Sequence, residues 1–250
     1  MPLVESESII LKSYNLSEAD KIVVFISREG GVIRGVAKGA RRLQSRYGSA
    51  LEPFSVVKTS YWQKDSAELV NIQNADLIES NFRSASRPEI LDKFSYLAEV
   101  LIALSPPHDP NETLFRMAKT VVRTAIDQPE RLLSLGVYFE IWLLRLSGLL
   151  PDWDTCSGCG ESMEQSGSAG VQANFHLLCS SCQRGHRTKS ASRTERRLLS
   201  AALRQHPQEF AAASADHAQE LELLSSNLKN MISAAVGRDI PESRSLSLSK

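Results

Sequence analysis

The four cysteines of the chain form two close pairs, Cys156 with Cys159 and Cys179 with Cys182. Their spacing, C-x2-C-x19-C-x2-C, is typical of a four-cysteine zinc site. Each C-x2-C turn aims two thiolates at one point, and two turns complete a tetrahedron with Zn–S distances of about 2.3 Å. Two disulfides or four unrelated thiols are the alternatives. Because four thiolates leave no open position, we predict one structural Zn²⁺ rather than the metal centre of a hydrolase.

A second chemically suggestive group is the basic segment 34–46 with the tyrosine that follows it. Neither the Walker pattern nor G-x-G-x-x-G is present, so a nucleotide cradle is not indicated. Each cation could neutralise a phosphate, and a tyrosine could stack on a base. A solvated loop is the alternative. The predicted nucleic-acid contacts are Arg34, Lys38, Arg41, Arg42, Arg46 and Tyr47.

Two further aromatic residues, Tyr61 and Trp62, are stacking candidates. They are adjacent in one predicted strand, so one side chain faces outward and the other faces the core.

A second basic segment, residues 184–204, contains seven cations and one acid, Glu195. On a helix, four of its arginines fall on one face. We predict that this face binds DNA or an acidic peptide, with a solvated helix face as the alternative. The four residues are Arg193, Arg196, Arg197 and Arg204.

Composition narrows the function class further. The formal net charge of the 250 residues is zero, so the basic character is confined to the two segments. No apolar run reaches the length of a membrane span, and the N-terminus lacks the features of a signal peptide. G-x-S-x-G and H-E-x-x-H are absent, and the histidines are scattered. We therefore expect a cytoplasmic protein that is neither a membrane protein nor an enzyme.

The first part of the chain is predicted to form a small barrel. Five short runs rich in Val, Ile, Phe and Tyr are separated by turn signals. Five strands in about 80 residues favour a closed barrel, because closure removes the sheet edges. We predict an OB-fold, with an SH3-like barrel as the alternative. The predicted strands are 7–14, 21–27, 32–38, 54–64 and 68–79.

The remainder is predicted to be largely helical, which gives a multidomain α+β chain. Apolar residues recur at helical spacing after Pro88, from Asn111 to Ala125 and after Pro129. Ser192 and Glu195 fit a capping box, and a last helix is expected over 216–236. The predicted domains are an OB-fold at 1–82, helical parts at 83–151 and 191–237, a cysteine module at 152–190 and a disordered tail at 238–250.

Two segments resemble the bacterial recombination-mediator family RecO. SIILKSYNLSEADKIVVFISREGGVIRGVAKGARR resembles that family's N-terminal barrel, including Glu18 and Asp20 before the second strand. GLLPDWDTCSGCG resembles the entry to its zinc module. A Ser/Gly-rich insertion at 161–170 and the Ser-rich tail depart from the family pattern and leave the local geometry there open.

The resemblance implies a function and a set of partners. It implies a non-enzymatic protein that binds single- and double-stranded DNA and anneals complementary strands. Its implied partners are RecR, the C-terminal tail of single-stranded DNA-binding protein and, indirectly, RecA, and its implied location is the cytoplasm, at the nucleoid. It also places DNA contacts at Lys38, Arg41, Arg42 and Arg46, and metal ligands at the four cysteines. A zinc-ribbon adaptor that binds acidic protein tails is the alternative function.

Overall fold

The computed structural model of the chain describes residues 2–63, 68–81, 87–164, 166–184 and 189–241. The chain divides into two compact units. The first comprises Met1–Pro129 together with residues 240 and 241, and the second comprises Glu130–Asp239. The boundary between them falls inside the predicted helical part 83–151, so the first two helices share a unit with the barrel. The predicted tail lies beyond the described residues from position 242 onward.

The first unit is built on a closed five-stranded barrel. Its sheet runs in the order β1-β2-β3-β5-β4, and β1 pairs back with β4 to close it. Only the β3–β5 pair is parallel. This order confirms the predicted OB-fold. The strands are β1 (Leu3–Asn15), β2 (Lys21–Ser27), β3 (Gly31–Ala37), β4 (Val56–Trp62) and β5 (Val70–Glu79).

Side chains that alternate along the strands fill the barrel interior. Phe25, Ile33 and Tyr61 are fully buried there, and the rings of Phe25 and Tyr61 meet edge to face at 5.7 Å. Gly35 must lack a side chain, because a Cβ would lie 2.8 Å from atoms of β5 side chains. Of the two adjacent aromatic residues, Tyr61 is the core residue and Trp62 is half-buried.

Two helices complete the first unit, α1 (Pro88–Leu104) and α2 (Glu112–Asp127). The Phe94 ring on α1 packs against Phe54 of the barrel at 4.7 Å, and Lys12 of β1 forms an ion pair with Glu99 of α1. Helix α2 begins where the sequence predicts, because Asn111 accepts a hydrogen bond from the Leu114 N–H at 2.9 Å. These contacts hold α1 on the outside of the barrel.

The second unit combines four helices with a small three-stranded sheet. Helix α3 is buried on nearly every side, as its continuous apolar sequence predicts. The capping box before α4 is also confirmed, with bonds of 3.1 and 2.8 Å between Ser192 and Glu195. The sheet order is β7-β6-β8. The elements are α3 (Leu132–Leu146), β6 (Ser168–Val171), β7 (Leu177–Leu178), β8 (Lys189–Ser192), α4 (Arg193–Ala202), α5 (Pro207–Ala213) and α6 (Ala218–Val236).

Within the described residues, no helix combines the length and the apolar character needed to span a bilayer.

Candidate nucleic-acid interface and metal centre

The basic segment leaves the barrel at the end of β3. Arg34 and Lys38 alternate with the inward-facing residues Ile33, Gly35 and Ala37, and both cations are exposed. The chain then continues in a series of turns up to β4. All five predicted cations are exposed on this part of the barrel: Arg34, Lys38, Arg41, Arg42 and Arg46.

The loop between β1 and β2 holds the start of this basic segment in place. The Gly39 N–H donates to the Asp20 carboxylate at 2.8 Å, and the Arg41 N–H donates to the Ala19 carbonyl at 3.0 Å. The Arg41 guanidinium also donates to the Ser17 carbonyl. Gly39 has a φ of 73°, a left-handed conformation that favours glycine. The role of this polar loop as a support was not foreseen, although it contains the acids Glu18 and Asp20.

The structure corrects the prediction that Tyr47 contacts nucleic acid. Its side chain is 3% exposed, and its hydroxyl donates to the Ile72 carbonyl at 2.8 Å inside the barrel. The Arg46 guanidinium lies 5.1 Å from the centre of the Tyr47 ring and donates to its hydroxyl oxygen at 3.0 Å. Tyr47 is therefore a core residue that positions Arg46, and it has no free ring face for a base. Residue type alone gave no signal of this burial.

The four cysteines meet at one point. Their sulfur atoms all lie within 4.8 Å of one another, and Sγ of Cys159 is 3.9 Å from Sγ of Cys179. Four sulfurs around a Zn²⁺ at about 2.3 Å would be about 3.8 Å apart. None of the four is in a disulfide. The arrangement could hold a metal ion.

The surrounding backbone shapes this cluster. A Cβ on Gly158 would lie 3.2 Å from Cys182, so the first C-x2-C turn approaches the second closely. The Trp153 indole N–H donates to the Phe175 carbonyl at 2.9 Å, and β6 pairs with both β7 and β8 behind the turns. These contacts bring together two cysteine pairs that are distant in sequence.

The cysteine thiols of the cluster differ in how readily they ionise. Burial opposes ionisation of Cys156, but the backbone N–H groups of Cys179 and Cys159 outweigh it and lower the pKa of Cys156 to about 6. Hydrogen bonding to Cys179 and Cys159 raises the pKa of Cys182 to about 12. Cys156 therefore loses its proton easily, whereas Cys182 holds its proton more tightly. A bound metal cation would stabilise the thiolate form of all four cysteines.

The structure also corrects the prediction that Arg196 lies on an open binding face of the second basic segment. Its side chain is 6% exposed and its guanidinium donates to the carbonyls of Met163 at 2.6 Å, Gly167 at 3.2 Å and Ser166. Arg196 thus joins α4 to the cysteine module. Its face was assigned by helical spacing, which does not show what packs against the helix.

The other three arginines line a cleft of about 530 Å³ between α4 and the cysteine module. Arg193 donates to the Glu164 carbonyl at 2.8 and 3.1 Å. Arg197 and Arg204 are exposed, and their side chains have no hydrogen bond or ion pair with any residue that the structure describes. Of the four arginines, Arg193 and Arg196 therefore bind the cysteine module, whereas Arg197 and Arg204 face solvent.

The chain combines an OB-fold barrel that carries a basic loop with a helical unit that carries a four-cysteine module, an architecture suited to binding anionic chains. Residues 1–81 match the family described as Recombination protein O N terminal, and residues 94–243 match Recombination protein O C terminal. The chain belongs to the RecO family.

Individual relatives agree with this assignment. Over 177 residues the chain is 34% identical to the DNA repair protein RecO of Koribacter versatilis, an alignment that covers 70% of this chain and 69% of the relative. It is 33% identical over 186 residues to the DNA repair protein RecO of a Synechococcus strain, covering 71% and 62%. It is 28% identical over 184 residues to that of Geobacter metallireducens, covering 74% of each.

Proposed function

We propose that the chain is a non-enzymatic mediator of DNA repair and recombination. It binds single- and double-stranded DNA, anneals complementary strands and, with RecR, helps to load RecA on DNA coated by single-stranded DNA-binding protein. The observation that carries the proposal is the group of five exposed cations at the exit of β3 on an OB-fold barrel. The relatives are named as DNA repair proteins, which supports the proposal. The proposal places the protein in the cytoplasm, at the nucleoid.

The cations contact the sugar–phosphate backbone in this proposal. Each phosphate contact with a single strand contributes about −0.7 to the slope of log K against log salt concentration. Four or five contacts therefore predict a slope of about −3 to −3.5. Such binding does not depend on sequence, which suits a protein that must act on any complementary pair of strands.

The metal of the cysteine module is Zn²⁺ in this proposal. Thiolates are soft ligands that favour zinc, and the ligand set is complete at four. Cys156, Cys159, Cys179 and Cys182 would hold the ion, which would stabilise the fold of the module and take no part in catalysis.

A charge-reversal experiment tests the DNA-binding proposal. Arg41→Glu combined with Arg42→Glu should weaken binding to a single-stranded oligonucleotide at least about tenfold and make the salt slope shallower by about 1.4. The matched control, Arg116→Glu with Arg145→Glu, changes the net charge equally at two exposed positions outside both basic segments. Binding is measured by fluorescence anisotropy and annealing by a fluorescence-quenching assay at low salt. Equal behaviour of the two variants, or no annealing by the unchanged protein, would contradict the proposal.

The cleft beside α4 supports a second candidate function, an adaptor that binds acidic protein tails and contacts nucleic acid only incidentally. Arg197 and Arg204 supply solvent-facing cations there. In this case Arg197→Glu with Arg204→Glu should abolish binding of a peptide with an acidic C-terminus, while the Arg41 and Arg42 variant should bind it normally. If the Arg41 and Arg42 variant loses peptide binding and the Arg197 and Arg204 variant does not, the adaptor function at this cleft is rejected.

A further inference from the structure

A row of partly exposed apolar side chains crosses three strands beside the basic segment. In the sheet register Tyr14 on β1 lies opposite Ile22 on β2, and Ile22 lies opposite Val36 on β3. Their neighbours Val23 and Ala37 point into the barrel and are fully buried, so the row lies on the outer face. Tyr14 is 39% exposed, and the other two are half-buried. At about 4.8 Å per strand spacing, the row is roughly 10 Å long.

Exposed cations border this row. Arg34 lies two residues before Val36 and shares the outer face of β3 with it, and Lys38 is the first residue after that strand and is exposed. At the β1 end, the hydrogen bond from the Arg41 guanidinium to the Ser17 carbonyl places a third cation near the strand that carries Tyr14. The apolar row therefore has positive charge along β3 and at the loop beside β1.

This combination fits one occupant, single-stranded nucleic acid. Its phosphates need cations, and its unstacked bases offer flat apolar faces that aromatic side chains can cover. A duplex keeps those faces inside its own stack, so it can use the cations but not the row. The carboxylates of an acidic protein segment would likewise use the cations alone.

We propose that Tyr14, supported by Ile22 and Val36, is the surface on which the barrel stacks a base of single-stranded DNA. This inference rests on the proposed DNA-binding function and adds a residue that discriminates between single and double strands. Tyr47 and Tyr61 do not fill this role, because both are buried. Trp62 is half-buried on β4, two strands beyond Val36 in the sheet register and therefore farther from Tyr14.

The test compares three variants in the full chain. Tyr14→Ala removes the ring, Tyr14→Phe keeps it, and Leu77→Ala removes a side chain of similar exposure (43%) from β5 as the matched control. Binding to oligo-dT and to a duplex of equal length is measured by fluorescence anisotropy over a salt series. Circular dichroism and thermal melting confirm that each variant is folded.

We expect Tyr14→Ala to weaken oligo-dT binding at least about fivefold, since one base–aromatic stack is lost. Its salt slope should equal that of the unchanged protein, because no charge is removed, and duplex binding should not change. Tyr14→Phe and Leu77→Ala should bind oligo-dT normally. An oligonucleotide that carries 5-iodouracil should crosslink to the peptide containing Tyr14 on irradiation.

Other outcomes separate this inference from the proposed function. If Tyr14→Ala binds oligo-dT normally while the Arg41 and Arg42 variant fails to bind, the barrel binds DNA but Tyr14 is not its stacking residue. Equal losses for oligo-dT and duplex, or crosslinks only elsewhere in the chain, reject the stacking role as well. If the unchanged protein binds neither DNA at low salt, both the proposed function and this inference are wrong.

Discussion

Replacing Arg196 with methionine should loosen the cysteine module from α4. The substitution keeps an unbranched side chain of similar length but removes donors that reach four carbonyl oxygens, those of Met163, Ser166, Gly167 and Ser192. A hydrogen bond to a charged group contributes about 1.5–3 kcal/mol, and such bonds in one network are not additive. Three of the four bonds are only partly buried, and their acceptors can turn to water, so we expect a loss of about 2–4 kcal/mol.

Hydrogen exchange measured by mass spectrometry is the suitable assay, because a chain of two compact units need not unfold in one step. Arg196→Met should speed exchange in peptides from the cysteine module and leave the barrel peptides unchanged. Arg197→Met is the control on the same helix, since this exposed residue should tolerate the change within about 0.5 kcal/mol. Equal protection of the module in the two variants, or faster exchange in the barrel, would refute this account of Arg196.

Three further predictions concern the metal, the barrel and pH. Cys182→Ser, or treatment with a strong chelator, should release one bound metal per chain and abolish exchange protection in the module, as metal analysis and hydrogen exchange would show. Gly35→Ala should destabilise the barrel by about 1–3 kcal/mol in a thermal melt, because its Cβ would overlap β5 side chains. Hydrogen bonding to Arg123 lowers the pKa of Glu79. The pair therefore stabilises the first unit at neutral pH, and this stabilisation is lost as the pH falls from the ordinary glutamate pKa through the lowered one. Arg123→Met should weaken that acid dependence in pH-resolved melts.

The barrel was largely predictable because its residues carry local signals. Strand β2 has the predicted bounds, 21–27, since alternation and turn residues mark both of its ends. Strand β1 extends to Leu3, beyond its predicted start at position 7. The added segment, residues 3–6, is short and has two apolar residues followed by two polar ones, and its pairing with β4 is imposed by closure of the barrel rather than by its own sequence.

The features that could not be predicted from the sequence depend on contacts between residues that are distant along the chain. Strands β6 to β8 span only two to four residues each and have no apolar period to detect. The short helix α5 was missed for a similar reason. Tyr47 and Arg196 are residue types that are common on binding surfaces, yet both are buried. Tyr47 donates a hydrogen bond to the Ile72 carbonyl, and Arg196 donates one to the Met163 carbonyl. The cysteines could be found because metal ligation requires both a residue type and a spacing.

The bonds between the β1–β2 loop and the basic segment have an entropic consequence. Gly39 and Arg41 are already tied to Asp20, Ala19 and Ser17 before any ligand arrives. A loop ordered in advance loses less conformational freedom on binding, so more of the attraction between cations and phosphates becomes net affinity. The cations and their tether therefore form one unit. A designer who moves this basic loop to another barrel should move residues 15–20 with it.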